Sequence, residues 1–287
     1  MIRIIDTFAH IPSAFDGGQF SLDKWKVYME SAYGGCVQML TDDLEECLRN
    51  GGYAYETDIL PILNDACGHP ASEALHESFR RATDGLHQKV CDLFGRELDV
   101  DIVLYLGLCN GAGWVTSVNG RDVILLGVEK ILELNWCDED AMRGLIYHEL
   151  GHVYHMQRGA WSQADADTER NFVWQLFTEG IAMYFEQALV GDFSYYHQDK
   201  DGWLSWCEAH TVQIAADFHS DLPTMLPSNQ RYFGDWVRYH GRGDVGYYLG
   251  ARFVHWLADT CEFDRLIRMD VNEVYGAYLS FIGTLSS

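Results

Sequence analysis

The sequence predicts an α+β fold, with helices first, then a small antiparallel sheet, then a long helix beside it and a mostly helical C-terminal half. Three observations predict it. Helical periodicity runs through 21–49 and 70–94. Between 100 and 126 the apolar pattern shortens to that of strands around Asn119-Gly120. From Asp138 onward the long patterned stretches are helical again.

Taken in order, residues 1–10 read as a short strand, and 21–32 and 36–49 as helices. Gly51-Gly52 follow Asn50 and tolerate the left-handed geometry that stops a helix. The acidic run Asp42, Asp43, Glu45, Glu46 reads as a solvated helix face. One long helix is predicted from Pro70 to Phe94, with Leu75, Phe79, Leu86, Val90 and Leu93 as its inward stripe and Gly85 as its weak point. Val100 to Leu106, Trp114 to Val118 and Arg121 to Leu126 read as strands, the last two joined by the Asn119-Gly120 turn. Asn110-Gly111-Ala112-Gly113 reads as a flexible turn, since no helix follows to cradle a phosphate.

Asp138 is the expected N-cap of a helix reaching Gln157, with Glu139 and Asp140 favouring its first turn. A loop over 159–167 precedes a helix over 168–189 that ends at Gly191. Further helices are expected over 203–218, 245–259 and 271–281, with a Pro223- and Pro227-marked loop reaching Asp244. The order suggests a helical region (1–95), a core with the sheet and motif helices (96–191), and a helical region closing a cleft (192–287).

A chain of 287 residues with 48% hydrophobic residues has ample material for a packed core. The formal charge of −23 argues against nucleic acid and against an anionic membrane surface. Asp6 ends the first apolar run too early for a secretory signal, and no stretch reaches the length of a membrane span. The eight cysteines are scattered with no C-x-x-C pair, which fits reduced thiols in the cytoplasm.

The chemistry concentrates in Leu145 to Tyr154, which contains His148-Glu149-Leu150-Gly151-His152 with uncharged flanks. On a helix, His148 and His152 lie one turn apart and can face one ion, with Glu149 beside them as a general base. This donor pattern favours one zinc per chain over other divalent metals. Glu179, 27 positions after His152 in Thr178-Glu179-Gly180-Ile181-Ala182, is the candidate third ligand. Gly180 and Ala182 are small enough to permit a close helix approach. Two imidazoles and a carboxylate leave a coordination position for water.

His155 is about 10.5 Å of helical rise beyond His148, too far to share its ion, and reads as a packing residue. Glu169 and Glu186 suit solvated or supporting roles, and His210, His219, His240 and His255 read as ordinary histidines. Val123-Ile124-Leu125-Leu126 is a candidate platform for an added substrate strand and equally a buried sheet strand. Tyr247 or Tyr248, at the start of a predicted helix, is a candidate donor to a developing oxyanion.

His148-Glu149-Leu150-Gly151-His152 with Glu179-Gly180-x-Ala182 resembles the gluzincin class of zinc metallopeptidases. The resemblance implies a zincin-like core, Glu179 as zinc ligand, Glu149 as base and a peptide or protein substrate. Tyr247-x-x-Gly250-Ala251 resembles the segment of leukotriene-hydrolase-type aminopeptidases whose tyrosine stabilises the oxyanion, which selects Tyr247 over Tyr248. Gly246 to Gly250 also resembles a group of little-studied predicted zinc-dependent proteases. The chain lacks the G-x-M-E-N stretch of the aminopeptidases, and Met183 stands where thermolysin-like proteases carry an aspartate. The resemblance spans about 100–260 and is specific at these motifs. The alternative reading is a regulatory or binding protein on a zincin scaffold, including repressor-cleaving stress-response types.

Overall fold

The computed structural model describes residues 1–161, 167–234 and 236–285. Residues 162–166 of the loop expected over 159–167, and Asp235 of the loop expected before Asp244, lie outside the described residues. The protein is mixed α/β, mostly helical with a small sheet. It divides into two compact units, Met1–Glu149 and Leu150–Ser287, and the division falls inside one continuous helix.

The first unit opens with β1 (Ile2–Asp6), a 3-10 turn (Phe8–Ala14) and a hairpin of β2 (Phe15–Asp16) and β3 (Gln19–Phe20). Helices α1 (Leu22–Ala32), α2 (Val37–Asn50), α3 (Leu60–Asp65), α4 (Ser72–Thr83) and α5 (Leu86–Phe94) follow. Then come β4 (Val100–Tyr105), β5 (Gly113–Val118), β6 (Arg121–Gly127) and α6 (Val128–Glu133). Helix α7 (Glu139–Arg158) begins in this unit.

The strand order is β1-β4-β6-β5. Pairs β1–β4 and β4–β6 are parallel, and only β5–β6 is antiparallel, so the sheet is mixed and not the antiparallel one the sequence suggests. Burial explains the order. All of β4 and the run Val123–Gly127 of β6 are buried, which suits interior strands covered on both faces. Strand β5 is only partly buried and takes the edge. Asn119 (φ 52°) and Gly120 (φ 76°) turn the β5–β6 hairpin through the left-handed region, as their identities require.

One charge lies inside β4. Burial alone would raise the Asp101 carboxyl, but hydrogen bonds from Arg3, Arg121 and Tyr33 outweigh it and hold it below the usual carboxylate range.

The helix expected over 70–94 breaks at Gly85, whose φ of 66° is left-handed. Leu75, Phe79, Leu86 and Val90 are buried as expected, but Leu93, in the last turn of α5, is exposed. Asp138 caps α7 by accepting the Ala141 N–H at 2.8 Å. Helices α3 and α6, which carry no sequence signal, are six residues each, too brief to establish a period.

The second unit holds the rest of α7, then α8 (Thr168–Val190), α9 (Trp203–Ala209), α10 (Thr211–Asp221), α11 (Val245–Ala258), α12 (Phe263–Leu266) and α13 (Val271–Leu285). Asp167 caps α8, and Gly191 (φ 86°) ends it. The helix expected over 203–218 is two helices, divided at His210. Helix α8 is buried along most of its length and packs against α11 and α13. Among the described residues, no helix is long and apolar enough to cross a membrane.

Candidate metal centre

Helix α7 carries His148, Glu149 and His152 without interruption. His148 is 4% exposed and Glu149 6%, while His152 is partly exposed. One ligand atom from each of His148, His152 and Glu179 lies within 4.8 Å of the others. The His152 Nε2–Glu179 Oε2 separation is 3.2 Å. Two ligands each about 2.1 Å from a tetrahedral ion stand about 3.4 Å apart, so the pair suits a shared metal as well as a hydrogen bond. The sequence therefore names three residues that the fold brings together across helices α7 and α8.

Small residues make this approach possible. A methyl group on Gly151 of α7 would come within 2.6 Å of the Ala182 Cα and 3.0 Å of its carbonyl oxygen. One on Gly180 would run into the Gly250 carbonyl of α11, and one on Gly250 would lie 2.5 Å from the Leu176 oxygen. Helix α8 thus meets α7 backbone-to-backbone through Ala182, and meets α11 through Gly180. Glu179 is next in sequence to the second crossing, and Tyr247 is one turn from Gly250, so both flank the same contact.

The two candidate tyrosines separate clearly. Tyr248 is 2% exposed, its hydroxyl shares a 2.6 Å hydrogen bond with Thr211, and its ring packs on Tyr196 and Trp203. Tyr247 is half-buried, with its ring edge-on to Phe233.

Glu149 faces the start of β5. A methyl group on Gly113 would stand 3.0 Å from its Oε1 and 3.1 Å from its Cγ, so the strand approaches the carboxylate where it has no side chain. Of the two readings of Val123–Leu126, the buried sheet strand holds and the platform does not. That stretch belongs to β6, whose two sides are taken by β4 and β5, and the edge beside Glu149 is β5.

The rival ligands have other surroundings. His155 is fully buried among Trp161, Trp174 and Phe177. Burial, helped by nearby His152, lowers its pKa to about 4, so it is neutral at pH 7. Glu186 is fully buried, not solvated, and lies 2.9 Å from His197 Nδ1. Glu169 accepts from the Tyr275 hydroxyl, and His210 bonds the Trp206 carbonyl. His219 meets the Tyr278 hydroxyl, His240 sits edge-on to Tyr239, and His255 pairs with Gln187.

Sequence reasoning missed Glu129, a buried carboxylate in the first turn of α6. A signal was present: in Val128-Glu129-Lys130-Ile131-Leu132 the glutamate shares the helical face of Leu132. No protein-family profile, curated protein or solved structure matches this chain.

Proposed function

We propose that this chain is a zinc-dependent hydrolase that cleaves peptide bonds, with His148, His152 and Glu179 as ligands and Glu149 as general base. The observation that carries the reading is the convergence of those three ligand atoms within 4.8 Å, with Glu149 on the same helix. The gluzincin resemblance supports peptide bonds over other amides or esters, and a zincin-like arrangement of the core. All eight cysteines are free thiols, which supports a reducing compartment such as the cytoplasm.

A bound zinc supplies Lewis acidity and lowers the pKa of water toward ~7. The chain's own groups do the remaining work. Glu149 takes the proton of the attacking water on its carboxylate and returns it to the leaving amine. Its burial keeps bulk water from competing for that proton. The Tyr247 hydroxyl donates to the carbonyl oxygen as negative charge builds there. The β5 edge orients an extended substrate by backbone hydrogen bonds, and Gly113 leaves room beside the base.

Metal analysis with two variants tests the reading. The purified protein should hold one zinc per chain, lost in Glu179→Ala. Glu149→Gln should keep the zinc but cleave fluorescein-labelled casein roughly a thousandfold more slowly. Unchanged turnover in Glu149→Gln, or failure of added zinc to bind the wild type, would overturn it.

A further inference from the structure

Glu129 is 1% exposed, near the start of α6. Its Oε2 accepts the Gly107 N–H at 2.7 Å, and its Oε1 accepts the Cys109 N–H at 3.0 Å. Each carboxylate oxygen therefore holds one amide of the segment that links β4 to β5. No side chain fits between them. A methyl group on Gly107 would run into Oε1, and one on Gly127 would lie 3.1 Å from it. Cys109 holds a left-handed φ of 62°, unfavourable for a residue with a Cβ, at the point where the carboxylate grips its amide.

The rest of the segment is fastened mainly by neutral groups. The Tyr28 hydroxyl accepts the Leu106 N–H, and the Trp25 indole donates to the Leu106 carbonyl. Asn110 accepts the Leu108 N–H and donates to the Leu40 carbonyl and to Asp43. The Gly127 N–H donates to the Ala112 carbonyl. The next residue is Gly113, which lies against Glu149.

We propose that Glu129 is a positioning residue: its carboxylate clamps the 107–113 segment and so sets where the first residue of β5 meets Glu149. The role assigned to Glu149 rests on the hydrolase reading, whereas the clamp does not depend on it.

The charge state of the carboxylate governs the clamp. Two N–H donors need two acceptor oxygens. A protonated carboxyl or a glutamine amide offers one and turns a donor toward the other amide. Burial pushes the Glu129 carboxyl up to about 7, against the Gly107, Glu129 and Cys109 amides and Lys130, which favour its charge. The groups that bear on it from neighbouring elements are the Tyr105 hydroxyl of β4 and the Tyr28 hydroxyl of α1. The Cys36 thiol bears on both hydroxyls in turn. Burial raises all three, Tyr28 to about 12 and Cys36 to about 11, so they stay neutral near pH 7. The clamp is closed above pH 7 and slackens below it.

Amide hydrogen exchange read by mass spectrometry tests this in wild type, Glu129→Gln and Gly107→Ala, with intrinsic rates corrected. Wild-type protection over 107–113 should rise roughly tenfold from pH 6 to pH 8, and Glu129→Gln should lack the rise. In the casein assay the wild-type kcat should fall below pH 7, and Glu129→Gln should be slower at pH 8 without that limb. Gly107→Ala, which displaces the carboxylate from the loop side, should copy Glu129→Gln and carries the test if the latter fails to fold. Wild-type protection at pH 8 in either folded variant would overturn the clamp. A lost clamp with an unchanged pH profile of kcat would overturn the positioning role. Absence of casein turnover by the wild type sinks the hydrolase reading and with it the tie to Glu149, while exchange still judges the clamp.

Discussion

The helix crossing beside Glu179 and the segment leading to Gly113 are held by opposite means. At the crossing, Gly180 and Gly250 meet backbone to backbone, and the nearest atoms to each are backbone or aliphatic. In the segment, a buried carboxylate grips two amides. The first contact depends on volume. The second depends on charge and changes within the physiological range. Two pieces of proposed catalytic machinery can therefore share a fold and fail under different conditions.

The largest break should come from volume. Gly180→Val forces a branched side chain into the Gly250 carbonyl, and overpacking against backbone costs about 3 kcal/mol or more. Denaturant unfolding should show that loss equally at pH 5 and pH 8, with zinc binding lost alongside. A mild effect, or one that varies with pH, would remove the contrast.

Glu129 should behave in the opposite way. Its native pKa of about 7 lies above the ordinary 4.5 of a glutamate. Between those values the folded protein keeps a proton that the unfolded chain has released. The stability from this group is complete below pH 4.5 and lost as pH rises through 7, a swing of about 3 kcal/mol. Wild type should therefore lose stability relative to Glu129→Gln between pH 5 and pH 8. A constant difference between the two proteins would refute the sign. The clamp would then close at the pH where its burial is most costly, a trade of stability for position.

Tyr247→Phe sharpens the comparison one turn before Gly250 on α11. Removing one oxyanion donor should cost roughly a hundredfold in kcat and leave zinc content unchanged. A Tyr248→Phe variant should instead lower stability with little change in kcat, since that hydroxyl is engaged with Thr211. The smallest effect belongs to the hairpin turn. Asn119→Ala should cost about 1 kcal/mol of stability, because alanine tolerates the φ of 52° less well.

Much of this molecule was legible before the fold was seen. The Asp138 cap, the Asn119-Gly120 turn, the stop of α8 at Gly191 and the helix carrying His148 and His152 each depend on residues within a turn or two of one another. Glu179 was legible through its motif, and its Oε2 lies 3.2 Å from His152 Nε2. The break at Gly85 was only half legible: the weak point was visible, but not that the chain would turn there through a left-handed φ of 66°.

The sequence by itself determined which residues have the chemistry to hold a metal and which stretches are helical, because local spacing carries both. Only the tertiary structure decided that β4 and β6 pair in parallel, leaving β5 at the edge, since pairing depends on partners distant in sequence. It alone decided that Ala182 meets Gly151 while Gly180 meets Gly250. It also decided that Glu129 is buried with two amides in its grip, because burial is a property of everything packed around a residue and not of its neighbours in the chain.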